Sequence, residues 1–402
     1  FSGIRASEPD MRLTGDAYFD ESNLMDIKAL STYGVTQDDV DAISKIDGVE
    51  HAEGAYSADF MQIVDKKQKV LHVISLQDEL NQVKLSDGQM PQKAGECLAD
   101  QDAGYKVGDT IKLRSGTSDE VIDTLTTVVG LCSSPMYISY GRGSATIGTG
   151  TISAFVMVPE ETFDMDVYTE VYVQVKGAKN EVAFTDGYDK KVEKVLDQIE
   201  DITDERAEIR KQEKKLEEGA AEIAENEAKV AEAKIEYANG EEEATQKIAE
   251  GEQKIADAEA KVQDIEKPTW YVYDRDTLTE YSGYGENAER LGAIGRVFPV
   301  LFFLVAALIS LTSMTRMVEE QRTAIGTMKA LGYSKMSIAK KYLGYALIAT
   351  AGGSVLGVLI GEKILPYIIV YAYGILYQHI THILVPYQWI YAWMAAAASY
   401  ST

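Results

Sequence analysis

The sequence predicts an α+β domain that is interrupted by a long coiled-coil insertion and followed by transmembrane α-helices. Three observations support this fold class. Strand-like stretches occupy residues 1–180, a charged heptad-repeat segment follows them, and the chain beyond Arg296 contains uncharged runs long enough to cross a membrane. A chain of 402 residues also exceeds the size, roughly 250–300 residues, at which single cores stop growing. More than one domain is therefore expected.

Residues 1–180 show the patterns of a mixed α and β domain. Thr36 is placed as the N-cap of a short amphipathic helix, which Gly48 ends. Five stretches have the β-branched composition and alternation of strands: 68–76, 109–115, 124–131, 152–158 and 170–177. The glycine-rich stretch 140–151 lacks the lysine and the strand–turn–helix setting of a phosphate-binding loop, so we interpret it as a flexible loop.

Net charge and cysteine usage exclude two classes of function. The formal net charge is -25 at pH 7, whereas proteins that bind nucleic acid present a basic face to the phosphates. Cys97 and Cys132 have no CxxC spacing and no nearby histidine pair, which argues against a zinc site. Their separation of 35 residues neither requires nor excludes a disulfide.

No cluster of catalytic residues is evident. His379 and His382 are three residues apart, a spacing at which a helix can hold a metal, but no third ligand accompanies them. Glu96 and Asp100 flank Cys97, and we interpret both carboxylates as solvated loop residues. The sequence therefore predicts no catalytic site, no metal site and no cofactor, and we do not expect the chain to be an enzyme.

Residues 189–266 are typical of a coiled coil. They contain no proline and carry 13 Lys plus Arg against 25 Asp plus Glu, a net charge of -12. One heptad phase is mostly apolar, which favours a coiled coil over a single solvated helix: Val195, Ile202, Ile209, Leu216, Ile223, Val230, Tyr237, Ala244, Gly251, Ala258 and Ile265. A single rod would be about 117 Å long and would separate the flanking strands. This favours a hairpin that turns at Gly219 or Asn239-Gly240, although the unbroken phase favours a rod.

Two uncharged runs, residues 297–314 and 342–361, can each cross a hydrocarbon core of about 30 Å as a helix. A third apolar run begins at Trp389 and continues to residue 402, so the last span is expected to be truncated. Residues 315–341 carry six Lys and Arg against two Glu, which places this loop in the cytoplasm and residues 1–295 outside. The prediction is a multi-pass protein of the plasma membrane with a large extracellular domain.

The second run carries a ladder of small residues. Gly353, Gly357 and Gly361 recur every four residues and so lie on one face of the helix. Such ladders let the backbones of membrane helices approach closely. We therefore expect this face to pack against another transmembrane helix.

The loop between the two runs resembles a known family. Glu320-Gln321-Arg322, Ile325-Gly326-Thr327 and Lys329-Ala330-Leu331-Gly332-Tyr333-Ser334 are similar to the pattern E-[QR]-R-x-E-I-G-x-x-[KR]-A-L-G-[AY]-S. This is the pattern of FtsX-like and MacB-like permeases of ABC transport systems. Ala324 departs from it, since a glutamate is usual there. The resemblance is specific over residues 280–402 and looser in the outer part, where larger Gram-positive members carry a coiled-coil insertion.

The resemblance implies a division of the chain. Residues 1–180 would be an extracellular α+β domain of the MacB-like periplasmic core type, and 181–267 the coiled-coil insertion, as a helical hairpin. Residues 268–296 would be a return strand and linker to the membrane. Residues 297–402 would be an FtsX-like transmembrane domain that lacks its first span, with "FSGIRASEPD" as the outer end of that span.

The resemblance also implies a function, that of a non-catalytic permease subunit driven by a separate ABC ATPase. Its partners would be this ATPase, a second permease copy or paralogue, membrane lipid, and an extracellular peptide, lipid, lipoprotein or cell-wall target. The ATPase would bind a coupling helix whose residues are Glu320, Arg322, Ile325, Gly326, Thr327, Lys329, Ala330, Leu331 and Gly332. An apolar face ringed by basic residues suits a partner's groove, but a lipid-facing loop would show the same pattern. The alternatives are a coiled-coil surface or adhesion protein, or a sensor subunit, anchored by membrane helices.

Overall fold

The computed structural model describes residues 2–64, 67–115, 124–238 and 243–401. Within these ranges the chain forms helices at both ends, strands between them and a long helical excursion before the last strand. In chain order the elements are α1 (Ser2–Glu21), β1 (Ile27–Val35), α2 (Gln37–Ser44), β2 (Val49–Ala55), β3 (Ser57–Val64), β4 (Lys67–Ser75), β5 (Lys84–Gly88), β6 (Glu96–Asp100), β7 (Thr110–Ser115), β8 (Thr124–Ser133), β9 (Ile152–Val158), β10 (Tyr168–Val175), α3 (Asp186–Ala238), α4 (Glu243–Gln263), β11 (Trp270–Asp274), α5 (Thr279–Glu320), α6 (Arg322–Ala330), α7 (Lys335–Tyr373) and α8 (Trp389–Ser401).

The smaller sheet has the antiparallel order β11-β1-β10-β2. The predicted helix start at Thr36 is confirmed as a capping box. The Thr36 hydroxyl accepts the Asp39 backbone N–H at 3.2 Å, and the Asp39 carboxylate accepts the Thr36 N–H at 2.8 Å. Val40 and Ile43 of this helix then pack with Val192 and Val195 at the base of α3 against the sheet. This core holds α2 and the start of α3 on one sheet face.

The larger sheet has the order β5-β8-β6-β9-β4-β3-β7 and closes on itself because β7 also pairs with β8. Its interior is apolar, and Cys97 on β6 lies in it. Cys132, on the neighbouring strand β8, pairs in register with Asp100, and both cysteines are free and buried. Burial raises the pKa of the Cys97 thiol to about 11, so this thiol is uncharged at neutral pH.

The segment between β10 and β11 forms α3 and α4, which lie antiparallel. A Cβ on Gly219 of α3 would come within 2.5 Å of Val262 of α4, and a Cβ on Gly251 within 2.4 Å of Val230. Gly219 lies inside α3, so its assignment as a turn was wrong, and Asn239-Gly240 lies outside the described residues. Leu216 is 70% exposed although the heptad phase predicts it to be a contact residue.

Two helices, α5 and α7, are long and apolar enough to cross a membrane. The polar helix α1 lies against both: a Cβ on Gly3 would meet the Gly361 carbonyl oxygen, and one on Gly15 would meet the ring of Tyr284. Beyond these contacts, Tyr284 and Tyr281 of α5 join a buried aromatic cluster with Phe19 of α1. One of the three buried apolar clusters of the described residues therefore contains side chains from both sheets and from α1, α5 and α7.

Candidate functional site

The predicted cytoplasmic loop forms a short helix, α6, set between the ends of α5 and α7. After α6 the chain turns at Gly332, which has φ +90°, a backbone conformation that glycine adopts without the strain of a side chain. The Tyr333 N–H donates to the Met328 carbonyl at 3.1 Å and the Gly332 N–H to the Lys329 carbonyl at 3.2 Å. These bonds end α6 in the manner of a Schellman motif and direct the chain into α7, whose first turn the Ser334 hydroxyl caps.

Most predicted docking residues are exposed. Ile325 is half-buried, while Leu331 is 73% exposed, and nearby Tyr333 and Met336 are exposed as well. A Cβ on Gly326 would meet nothing within 4 Å. The other predicted residues are also exposed: Glu320, Arg322, Thr327, Lys329, Ala330 and Gly332. The corner between α6 and α7 therefore presents exposed apolar side chains beside lysines, and no other described part of the chain covers them.

A single helix joins this corner to the sheets. α5 runs unbroken for 42 residues, about 63 Å at 1.5 Å per residue, from the sheet side to Glu320. Glu320 forms an exposed ion pair with Arg316, one turn earlier, at 2.8 Å. At the other end, α5 begins just after β11 and Arg275. One continuous helix therefore connects the loop to the edge of the smaller sheet.

Arg275 fastens the outer end of α5 to both the small sheet and α3. Its guanidinium lies 2.9 Å from the Asp26 carboxylate, and both side chains are at most 2% exposed. It also donates to the carbonyl oxygens of Leu24 and Met25. Asp26 in turn accepts the hydroxyl of Tyr188, in the first turns of α3, at 2.7 Å. One buried network thus links the start of α5 to the base of α3.

A second buried network joins the larger sheet to the connector between α7 and α8, residues 374–388. Arg142 binds Asp100 through Nε at 2.6 Å and Nη2 at 3.1 Å, and Asp102 at 3.4 Å. Asp102 also lies 3.2 Å from His379 of the connector. The interpretation of Asp100 as a solvated loop residue was wrong, because Asp100 is 2% exposed and ends strand β6. The glycine-rich stretch is a loop, as predicted, and Arg142 anchors part of it. The sequence carried no signal for this set, because its members are distant along the chain.

His379 is a structural residue of this network. Its Nδ1 lies 3.2 Å from the Gln101 side-chain amide, and burial lowers its pKa, with Asp102 opposing the shift and Arg142 adding to it. His382 lines, with His379, a cavity of about 230 Å³ beside α1. The described residues include no group of three or more potential metal ligands around the pair.

The glycine ladder of α7 divides between two environments. Gly361 lies against Gly3 of α1, as described above. Gly353 and Gly357 instead line a cavity of about 370 Å³ between α5, α7 and α8, with Ala306 and Ala395 on its other walls. A Cβ on any of the three ladder glycines would meet no described atom within 4 Å. Close helix packing along the whole ladder remains a prediction.

Comparison with known proteins bears on this same part of the chain. Residues 296–400, which contain most of α5, all of α6 and α7 and nearly all of α8, match the family model of the FtsX-like permease C-terminal domain. This part of the chain therefore resembles an FtsX-like permease domain. The match includes every predicted docking residue, and it supports a permease subunit of an ABC transporter.

Solved structures are similar to the remainder only distantly. The extracellular domain of the noncanonic ABC-type transporter YknZ from Gram-positive bacteria has 10% identity and a TM-score of 0.27, over 41% of this chain and 87% of that one. The periplasmic region of MacB from Actinobacillus actinomycetemcomitans has 10% identity and a TM-score of 0.26, over 46% and 86%. Likeness at this level carries no functional argument. No curated protein matches the chain.

Proposed function

We propose that this chain is the permease subunit of an ABC transporter and that it transmits ATP-driven movement from the cytoplasmic face to an extracellular domain. The observation that carries the proposal is the permease domain itself, in which α6 is presented as a short exposed helix between two long apolar helices. ATP hydrolysis is assigned to a separate ATPase subunit. The permease is proposed to act as a dimer with a second copy or a paralogue.

The ATPase is proposed to bind the α6–α7 corner. Leu331, Tyr333 and Met336 are all more than half exposed, and Lys329 and Lys335 lie among them. Apolar anchors with a charged rim are the composition of a helix that docks in a partner's groove. A surface that only needed solubility would not leave three large apolar side chains exposed at one turn.

Movement of this corner would reach the outside through α5. Closure of the ATPase would displace α6, and α5 would carry the displacement to Arg275, which pairs with Asp26 immediately before β1. Tyr188 bonds the same carboxylate, so the base of α3 would move with it. The target of this work is proposed to be extracellular, of the peptide, lipid, lipoprotein or cell-wall class. The uncharged runs of α5 and α7 offer no charged lining for a hydrophilic path between them.

Leu331→Asp is expected to abolish binding of the ATPase. The change puts an unpaired charge into the centre of the proposed contact, where loss of one anchor costs about 2 kcal/mol or more, roughly 30-fold in affinity. The measurement is co-purification of the full-length protein from native membranes in mild detergent, with mass spectrometry of the bound subunits. Gly326→Trp should have the same effect, since the space beside Gly326 is empty within this chain.

Leu85→Asp is the matched control. Leu85 is also exposed but lies on β5 of the larger sheet, so the same substitution there should leave the ATPase bound. If Leu331→Asp and Gly326→Trp both retain a stoichiometric ATP-binding subunit, the docking surface is assigned wrongly. If the wild type brings down only cell-wall or surface components, the permease proposal fails and a membrane-anchored coiled-coil stalk takes its place.

We also propose that α3 and α4 form an antiparallel coiled coil whose base is anchored and whose tip is weakly held. At the base, Ile199 is fully buried in the small-sheet core and Arg206 pairs with Asp39 at 2.5 Å. Farther out the contacts include exposed ion pairs, such as Lys234 with Glu252 at 3.7 Å, which contribute little. Val230 of α3 packs there on Gly251 of α4, and because glycine has no side chain, this contact buries little apolar surface.

Hydrogen exchange should therefore divide the helix pair into two parts. Amides of residues 217–238 are expected to exchange at least about tenfold faster than those of 190–205, because local opening near the tip exposes less apolar surface. Mass spectrometry of deuterated peptides from the intact protein measures this directly. Equal protection of both segments would mean that the pair unfolds as one cooperative rod.

A further inference from the structure

Two fully buried carboxyl groups lie where α1, α7 and the end of the connector meet. Asp10 of α1 and Glu362 of α7 are both 0% exposed. Gln388, immediately before α8, donates to both: its side-chain amide to Asp10 Oδ1 at 3.0 Å, and its backbone N–H to Glu362 Oε2 at 3.1 Å. A single glutamine therefore bridges the two carboxyl groups and keeps them close together.

Each carboxyl group leaves one oxygen without a partner. Asp10 Oδ2 and Glu362 Oε1 are buried and accept no hydrogen bond from any residue that the structure describes. A buried carboxylate oxygen without a donor is strongly disfavoured, and burial favours the neutral form of a carboxyl group. A protonated carboxyl supplies the missing donor, since its O–H can be shared with a neighbouring carboxylate.

The charge around the pair is unbalanced by one. Lys363 and Glu362 are the charged side chains that act on Asp10 from α7. The Lys363 ammonium donates to the Val385 carbonyl and lies 4.2 Å from the ring centroid of Tyr387, so the connector holds it. α5 lies on another face of α1, where it meets Glu8 and Gly15. Two ionised carboxylates and one lysine leave a net charge of -1, which a single proton removes.

We propose that the Asp10–Glu362 pair is a proton-binding site that, through Gln388, fixes the end of the connector on α1 and α7. Other bonds make the same attachment, since the Leu384 N–H donates to Thr14 Oγ1 at 3.0 Å and Tyr387 Oη to the Leu359 carbonyl at 3.4 Å. When the proton is lost, the carboxylates of Asp10 and Glu362 are both negative and repel each other.

Infrared difference spectroscopy of the full-length protein in detergent tests the proton directly. The C=O stretching band of a protonated carboxyl should persist at pH values where exposed Asp and Glu, with pKa values near 4, are ionised. Asp10→Asn and Glu362→Gln should each remove that band. The control is Glu8→Gln, which changes a partly exposed carboxylate paired with Arg12 on the same helix and should retain the band.

A measurement without substitution covers the case in which the variants do not fold. In wild-type protein carrying ¹³C-labelled aspartate or glutamate, the band should shift with at least one of the two labels. A wild type with no such band at neutral pH overturns the proposal, as does a band that both variants keep.

Discussion

Arg275→Met is expected to destabilise the protein by about 3–5 kcal/mol, the usual cost of removing one member of a buried ion pair. The methionine fills much of the same volume, so the loss is mainly electrostatic. Asp26 would keep the hydroxyl of Tyr188 and the N–H of Val175, at 2.7 Å each, but its charge would remain buried without a cation. Denaturant unfolding of the detergent-solubilised protein, followed by tryptophan fluorescence, measures the change.

Arg290→Met is the matched control for this prediction. Arg290 pairs with Glu286 one turn away on α5, but both side chains are more than 60% exposed, and such pairs contribute about 0–1 kcal/mol. The same substitution should therefore change stability little. If the two variants unfold alike, Asp26 is not a buried charge that depends on Arg275, and the link from α5 to α3 through this carboxylate is lost.

Arg142→Met is the second substitution with a large expected effect. It should destabilise the protein by about 3–5 kcal/mol, because the Arg142 guanidinium binds both carboxylate oxygens of Asp100 and both side chains are buried. The charge of Asp100, 2% exposed, would be left uncompensated. Adding Asp100→Asn should recover part of the loss, since the double variant no longer buries an unpaired charge. If the stability losses of Arg142→Met and Asp100→Asn simply add in the double variant, the two side chains are not directly coupled.

The same variant has a readout that a general loss of stability would not give. Arg142 lowers the pKa of His379 by its positive charge, so Arg142→Met is expected to raise that pKa, with the remaining protein still folded. NMR titration of the imidazole resonances measures the shift. Lys106→Met, an exposed change in the loop between β6 and β7, should leave the His379 titration unchanged.

Local patterns were sufficient wherever neighbours in sequence are also neighbours in space. The capping box at Thr36 and the strand Ile152–Val158 could be predicted because turn chemistry and alternation act within a few residues. Strands β1, β3, β5 and β6 were not predicted. β5 is exposed along its length, and β3 is buried only in part, so neither has the alternation that marks a half-buried strand.

The sequence by itself determined the α+β part, the two apolar helices and the position of the short basic segment between them, because periodicity, length and charge bias are local properties of the chain. Only the tertiary structure decided which polar residues are buried. Asp100 and Arg142, or Asp10 and Glu362, are separated by tens or hundreds of residues, and nothing in their local surroundings distinguishes them from solvated side chains. Their burial depends on which helices and strands pack together. Once buried, these charged side chains form the ion pairs and hydrogen bonds that connect helices to sheets.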